Sequence, residues 1–239
     1  MRRRGGFLGV LLGATLVLLL IVGAVAILAV SGKITVEGIT PKKTAGKVLE
    51  IGRFSASGIE VENVVGNVSV IKGHGRGVVV KSNLPVKAQL KNSMLLVYCP
   101  EKRGVLRKRN VCNDYRNGTV IVEVPEGIET LRVHNVVGSV FIGASSPDIE
   151  ISNVVGRFTG SAWGNYHVST VVGRVALRVK DNAVIREVVG DVEVFVPPGH
   201  RALLSTEGVV GKVSNEANGG NGTVEVRVSN IAGDVTVRG

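Results

Sequence analysis

The chain has 239 residues, of which 44% are hydrophobic and only 4% are aromatic. Its 29 Lys and Arg residues outnumber 19 Asp and Glu residues, which gives a formal net charge of +10. This composition supplies a core of small aliphatic side chains and excludes one built on the large aromatic residues of a typical β-sandwich. We therefore expect one elongated domain built mainly from Val, Ile and Gly.

The N-terminal region combines a basic tail, residues 1–6, with an uncharged apolar run, residues 7–30. As a helix rising about 1.5 Å per residue, this run reaches about 36 Å, enough to cross a hydrocarbon core of about 30 Å. The sequence predicts a single transmembrane α-helix, followed by a tether over residues 31–47. Two alternatives are a secretory signal cleaved near Ala29-Val30-Ser31 and a prepilin-type leader ending at Arg4-Gly5-Gly6.

The charges beside the apolar run set the expected orientation. Arg2, Arg3 and Arg4 lie directly against its N-terminal end, and basic residues beside a membrane span favour the cytoplasmic side. We therefore predict a single-pass protein of the cell membrane, with the tail in the cytoplasm and residues 48–239 outside. Cleavage of the leader would instead give a secreted protein.

Two further features fit an outside location. Cys99 and Cys112 are the only cysteines and are candidates for a disulfide, with buried thiols as the alternative. Three triplets have the form of N-glycosylation acceptors, at Asn67, Asn117 and Asn221.

Residues 48–239 repeat one short phrase, a pair of small apolar residues followed by Gly and an alternating strand. The copies are Val64-Val65-Gly66, Val136-Val137-Gly138, Val154-Val155-Gly156, Val171-Val172-Gly173, Val188-Val189-Gly190, Val209-Val210-Gly211 and Ile231-Ala232-Gly233. From Gly138 onward the glycines recur every 17 to 22 residues, a spacing typical of stacked solenoid coils. Period-two alternation rich in Val favours strands, and a fixed Gly favours a bend with positive φ. The repeat predicts an all-β parallel solenoid stacked coil by coil, with Asn residues before several copies capping the corners.

Two more motifs place a Pro-Gly turn after a strand, Val122-Glu123-Val124-Pro125-Glu126-Gly127 and Val194-Phe195-Val196-Pro197-Pro198-Gly199. Together with the repeated phrase, they resemble the bacterial and archaeal domain family named putative adhesins, over about residues 48–239. The resemblance implies a single-stranded, right-handed β-helix of uncharacterised function, without known catalytic residues. The expected fold class is therefore all-β, a right-handed parallel β-solenoid behind one N-terminal transmembrane α-helix.

The positive charge is concentrated in residues 71–116, where eleven Lys and Arg residues accompany only two acidic residues. Within this region a loop at about 100–116 interrupts the repeat and departs from the family pattern. Its candidate anion-binding residues are Lys102, Arg103, Arg107, Lys108 and Arg109. Such a cluster suits acidic glycans, lipid headgroups or an acidic envelope protein, and a solvated loop without a partner is the alternative. Nucleic acid is not expected, because no aromatic platform lies near the cluster.

The sequence contains few candidates for catalytic, metal-binding or carbohydrate-binding residues. The four histidines are His74, His134, His167 and His200. None has a Cys or carboxylate at ligand spacing along the chain, so no metal site is expected. No pair of acidic residues recurs at coil spacing, so we expect no catalytic residues and no cofactor. Trp163 and Tyr166 are candidates for carbohydrate contact, since exposed aromatic rings stack on sugars.

The sequence thus indicates a membrane-anchored, extracellular β-solenoid that acts without catalysis in adhesion, envelope scaffolding or interaction. Two alternatives stay open. One is a membrane-tethered accessory of an envelope-stress system. The other is an enzyme acting on glycans, since right-handed β-helices also carry polysaccharide lyases and hydrolases.

Overall fold

The computed structural model describes residues 42–103 and 108–239. The basic tail (1–6), the apolar run (7–30) and most of the expected tether lie outside the described residues. No helix with the length and apolar character of a membrane span occurs within the described ranges. There the chain forms 18 β-strands and one short 3-10 helix, so the all-β expectation is confirmed.

The strands vary widely in length. The N-terminal elements are β1 (Lys43–Thr44), β2 (Leu49–Phe54), β3 (Gly58–Glu62), β4 (Asn67–Lys72), β5 (Val78–Ser82), β6 (Lys87–Lys91), β7 (Met94–Tyr98), β8 (Glu101–Arg103), β9 (Lys108–Asn110), the 3-10 helix (Val111–Asp114), β10 (Tyr115–Arg116) and β11 (Thr119–Val124). The C-terminal elements are β12 (Thr130–Ile142), β13 (Asp148–Val189), β14 (Val192–Phe195), β15 (His200–Val210), β16 (Val213–Asn215), β17 (Gly222–Ala232) and β18 (Val235–Arg238).

The centre of the fold is a ladder of parallel strands in register. β12 pairs with the start of β13, where Thr130 lies opposite Asp148. The 42-residue β13 turns corners and stacks on itself, since Gly173 packs directly against the carbonyl oxygen of Gly156. One inward column, at most 2% exposed, contains Val61, Val133, Ile151, Val168, Ile185 and Val228. The apolar residues that precede the repeated phrase in these copies therefore form one column inside the fold.

Each corner is shaped by a stacked glycine with positive φ. These glycines are Gly66, Gly138, Gly156, Gly173, Gly190, Gly211 and Gly233, with φ between +134° and +154°. A Cβ atom at Gly156 would lie 2.0 Å from the carbonyl oxygen of Gly138, so the stacked backbones leave no room for one. Three residues before these two glycines, Asn135 and Asn153 adopt left-handed φ values of 56° and 54°, and Asn153 Nδ2 donates to Asn135 Oδ1 at 3.2 Å. Gly and Asn thus shape the corners, as the repeat predicts.

The stacked coils, here called rungs, do not follow chain order at either end of the ladder. This corrects the expectation of coil-by-coil stacking. β4 pairs with β11 on one side and β12 on the other, so the later β11 lies outside it. β17 pairs with β13 and with β15, so the last rung lies inside and the preceding one lies at the edge. The reason is apolar content. The inward residues of β17 are Val224, Val226 and Val228, whereas the residues in register with them on β15 are Ala202, Leu204 and Thr206, a less apolar set that suits an edge.

The two ends of the ladder differ in the direction of their terminal strands. Beyond β11, β5 and β2 run antiparallel, and β6 runs antiparallel to β7. At the opposite end β15 and β16 pair only with β17 and β18 among the described strands. The exposed large aliphatic side chains are Leu49, Ile51, Leu90, Leu203, Val210 and Val213. All of them lie on these terminal strands, so the apolar surface of the described fold is confined to its two ends.

Candidate functional site

Four of the candidate anion-binding residues lie on β8 and β9, which pair antiparallel and are here called the basic hairpin. Lys102 lies opposite Arg109, and Arg103 lies opposite Lys108. Three of them are exposed and Arg109 is half-buried. Like charges directly opposite each other in an antiparallel ladder repel and destabilise it. Because neighbouring residues of a strand point to opposite sides, the two pairs lie on opposite faces of the hairpin, and an anion bound to either face would offset the repulsion there.

Carboxylates within the hairpin region neutralise only part of this charge. Lys108 Nζ lies 3.5 Å from Glu101 Oε2, and the Arg109 guanidinium donates to Asp114. The first pair is exposed, and exposed ion pairs contribute little free energy. Lys102 and Arg103 pair with no carboxylate among the described residues. Arg107 lies outside the described residues, so its place in the cluster stays a prediction.

The base of the basic hairpin is fixed to the sheet. Cys99 and Cys112 flank the hairpin and form a disulfide, with their Cα atoms 5.8 Å apart. Buried Asn110 accepts a hydrogen bond from the Cys112 backbone N–H at 2.8 Å and donates through Nδ2 to the carbonyl oxygen of Asn63. A cross-link closing a loop of this size stabilises by about 3 kcal/mol. Sequence reasoning named the two cysteines but missed Asn110, whose neighbours in sequence carry no distinguishing pattern.

The first described residues join the domain at the same place. Lys43 of β1 lies opposite Tyr115 of β10 in a short parallel pair. Lys42 Nζ donates to Asn113 Oδ1 at 3.1 Å, and Asn113 lies in the 3-10 helix that also contains Cys112. The start of the described chain, within the segment expected to be a tether, is therefore held against the 3-10 helix and β10, which directly follow the basic hairpin.

The structure removes Tyr166 from the candidates for carbohydrate contact. Its ring is fully buried and packs at 6.1 Å between centroids against Phe158. Its hydroxyl donates to the carbonyl oxygen of Ala162 at 2.7 Å, and burial raises its pKa above the ordinary value for tyrosine. Trp163 is half-buried, and the Arg178 guanidinium carbon lies 5.8 Å from its ring centroid. One face of Trp163 thus already has a partner, and an isolated ring is a weak sugar platform.

The three candidate glycosylation residues Asn67, Asn117 and Asn221 are all exposed. Their backbones differ, since Asn117 adopts a left-handed φ of 56°. Exposure is a condition for modification, and modification itself stays a prediction.

A cluster of Glu60, Glu62 and His134 was missed by the sequence reasoning. The two glutamates lie two residues apart on β3 and project from the same outward face. His134 of β12 lies opposite Glu62. His134 Nε2 is 3.0 Å from Glu60 Oε1 and 3.4 Å from Glu62 Oε2. His134 thus has carboxylate neighbours in space, although none lies at ligand spacing from it along the chain. The Glu-x-Glu pattern of β3 is visible in the sequence, but the histidine that lies beside it can be identified only when the stacking order of the strands is known.

Comparisons with known proteins give structural neighbours only. No family model matches the chain, and no curated protein matches it. The chain is similar to a solved "putative cell adhesion protein" from Clostridium sporogenes, at 13% identity and a TM-score of 0.37 over 80% of this chain and 97% of the other. It is also similar to "putative adhesins" from Bacteroides fragilis (12%, TM-score 0.41, 84% and 100% covered) and Parabacteroides merdae (12%, 0.31, 81% and 98%). Likeness at this level carries no conclusion about ligands or activity.

Proposed function

We propose that the chain is a membrane-anchored, extracellular β-solenoid that acts without catalysis as an adhesion or scaffold module of the envelope. Its basic hairpin holds the anchored end against anionic lipid headgroups. In-register parallel rungs, stacked corner glycines and buried aliphatic columns support the solenoid. The uncharged run over residues 7–30 supports the anchor.

One observation carries this proposal: β1 enters the fold against β10 and the 3-10 helix, the elements that directly follow the basic hairpin in the chain. Between the apolar run and Lys42 lie residues 31–41, which reach at most about 40 Å when fully extended. This tether limits how far the fold can move from the membrane face from which the chain emerges, and it is long enough to let the hairpin reach the headgroups. Lys42 and Lys43 are exposed at the same place and add to its positive charge.

Lipid headgroups fit this position better than distant glycans do. A Lys or Arg close to an anionic membrane gains about 1 kcal/mol, and this gain falls off within a Debye length of about 8 Å at physiological salt. The covalent link to the membrane segment keeps Lys102, Arg103 and Lys108 within reach of that surface. A headgroup phosphate lying between the two strands also offsets the repulsion between Arg103 and Lys108, which are cross-strand neighbours.

Vesicle binding tests the role of the hairpin. Residues 31–239 are used, because the apolar run would insert into any vesicle. We expect this fragment to sediment with vesicles of phosphatidylcholine and phosphatidylglycerol but not with pure phosphatidylcholine, and to be released as salt rises. Lys102→Ser/Arg103→Ser/Lys108→Ser should bind about 100-fold more weakly, since it loses about 1 kcal/mol at each position.

The matched control is Lys180→Ser/Arg186→Ser/Lys212→Ser, which removes the same charge from exposed positions elsewhere. We expect this variant to bind nearly as the unaltered fragment does. Equal weakening in both variants would mean that net charge alone governs binding. Binding to an acidic polysaccharide with no binding to anionic vesicles would contradict the lipid assignment and favour a glycan partner.

A further inference from the structure

We propose that Glu60, Glu62 and His134 form a binding site for a divalent transition-metal ion of the zinc class. This inference does not depend on the anchor or on the basic hairpin. Glu60 and Glu62 are two residues apart on β3, so their side chains project from the same face. His134 lies on the adjacent strand β12 in register with Glu62. The fold therefore brings one imidazole and two carboxylates together from two neighbouring rungs.

The distances within this cluster suit a shared ion. Two atoms that each lie about 2.1 Å from one zinc ion are about 3.0 Å apart at a right angle and about 3.4 Å apart at a tetrahedral angle. His134 Nε2 lies 3.0 Å from the Glu60 oxygen and 3.4 Å from the Glu62 oxygen. The three ligand atoms all lie within 4.8 Å of one another. Two ligand atoms of one zinc ion are at most about 4.2 Å apart, so rotation of the glutamate side chains would bring in any carboxylate oxygen that lies further from its neighbour.

His134 Nε2 supplies an independent observation. The atom is buried from solvent, yet it has no hydrogen-bond partner among the described residues. The carboxylate oxygens are close enough to accept a hydrogen bond but do not meet its directional requirement. A buried ring nitrogen without a partner is costly. A metal ion accepts the lone pair of that nitrogen and removes the cost.

The charges of the cluster also favour a bound cation. Two carboxylates share the cluster, and the nearest in-register cation, Arg132 opposite Glu60, makes its ion pair with Glu150 on the next rung instead. A divalent cation offsets the repulsion between Glu60 and Glu62. One imidazole nitrogen with two carboxylate oxygens is a donor set for zinc and its neighbours, whereas Ca²⁺ and Mg²⁺ prefer oxygen ligands alone.

The bound ion would join two rungs that are distant in sequence. β3 belongs to the rung that stacks out of chain order, between the rung containing β7 and the rung containing β12. A metal linking β3 to β12 therefore fixes this junction. We assign the ion a structural role.

Metal binding to the full chain tests the proposal. The chain is purified in detergent without a histidine tag, stripped with a chelator and titrated with Zn²⁺ alone. We expect one equivalent per chain and a higher midpoint of thermal unfolding with the metal. Co²⁺ should give the visible absorption of a site with nitrogen and oxygen ligands. This spectrum needs no substitution, so it remains informative if a variant fails to fold.

Isosteric variants locate the site. Glu60→Gln, Glu62→Gln and His134→Gln should each lower Zn²⁺ affinity by about 100-fold or more and abolish the Co²⁺ spectrum. Glu150→Gln and His167→Gln are matched controls outside the cluster and should retain both signals. Absence of stoichiometric binding, or equal losses in the control variants, would overturn the proposal. The cluster would then be only a contact between His134 and the two carboxylates.

Discussion

Replacing Val171 by Asp is expected to lower the free energy of unfolding by about 3 kcal/mol or more. Val171 is 0% exposed on β13, in an inward column with Val154 and Val188. A carboxylate placed there loses its hydration and finds only aliphatic neighbours, and burial of an unpaired polar or charged group costs several kcal/mol. Thermal unfolding of the full chain in detergent, followed by circular dichroism, should show a midpoint lower by about 6–12 °C.

Val172→Asp is the matched control, since the same substitution falls on the adjacent, partly exposed residue. Alternation along a strand places Val172 on the outward face, so we expect a change of less than about 1 kcal/mol. Equal losses for the two variants, or no loss for either, would contradict the assignment of inward and outward faces that underlies the ladder.

Replacing Gly156 by Ala should lower the free energy of unfolding by a comparable amount, for a different reason. The added Cβ would lie 2.0 Å from the carbonyl oxygen of Gly138, and φ at this position is +143°. Backbone strain of about 1–3 kcal/mol adds to overpacking of about 1–3 kcal/mol. We expect the free energy of unfolding to fall by about 2–6 kcal/mol, measured by the same thermal unfolding.

Two other glycines separate strain from steric contact. Gly127 has a φ of +84° with nothing within 4 Å of an added Cβ, so Gly127→Ala reports strain alone. Gly75 also has open space and no positive φ, so Gly75→Ala should leave stability nearly unchanged. If Gly156→Ala were no worse than Gly127→Ala, the rungs would not be in the close contact that the stacked glycines indicate.

Much of the ladder could be predicted because its information is local. Each copy of the repeat carries its own Gly, its own inward Val and its own alternation, so Val133 and Ile151 could be assigned to one column without knowing the fold. The stacking order could not be predicted in this way. The copies are so similar that the sequence does not show which of them pairs with Val64-Val65-Gly66. Order depends on which rungs bury the most apolar surface, a property of the whole molecule.

The same difference governs the candidate sites. The charges of the basic hairpin lie close together in sequence and were predicted, whereas the contacts of Lys42 and Lys43 with Asn113 and Tyr115 depend on a pairing between distant strands. The cluster of Glu60 and His134 likewise requires β3 to lie beside β12. Tyr166 was misassigned although it lies two residues before Val168, whose side chain is buried, and alternation along the strand therefore places the Tyr166 ring inward as well.

Topology in intact cells tests the proposed membrane anchoring and extracellular display most directly. Ser205 is exposed on the edge strand β15, and Ser205→Cys adds a thiol there with little change in size. The native Cys99 and Cys112 are joined as a disulfide and should not react. With a membrane-impermeant maleimide, we predict that Ser205→Cys is labelled on intact cells and fractionates with the membrane. A second variant, Gly5→Cys, should be labelled only after permeabilisation. Labelling of Ser205→Cys only after lysis, or its recovery in the soluble fraction, would contradict an anchored domain displayed outside the cell.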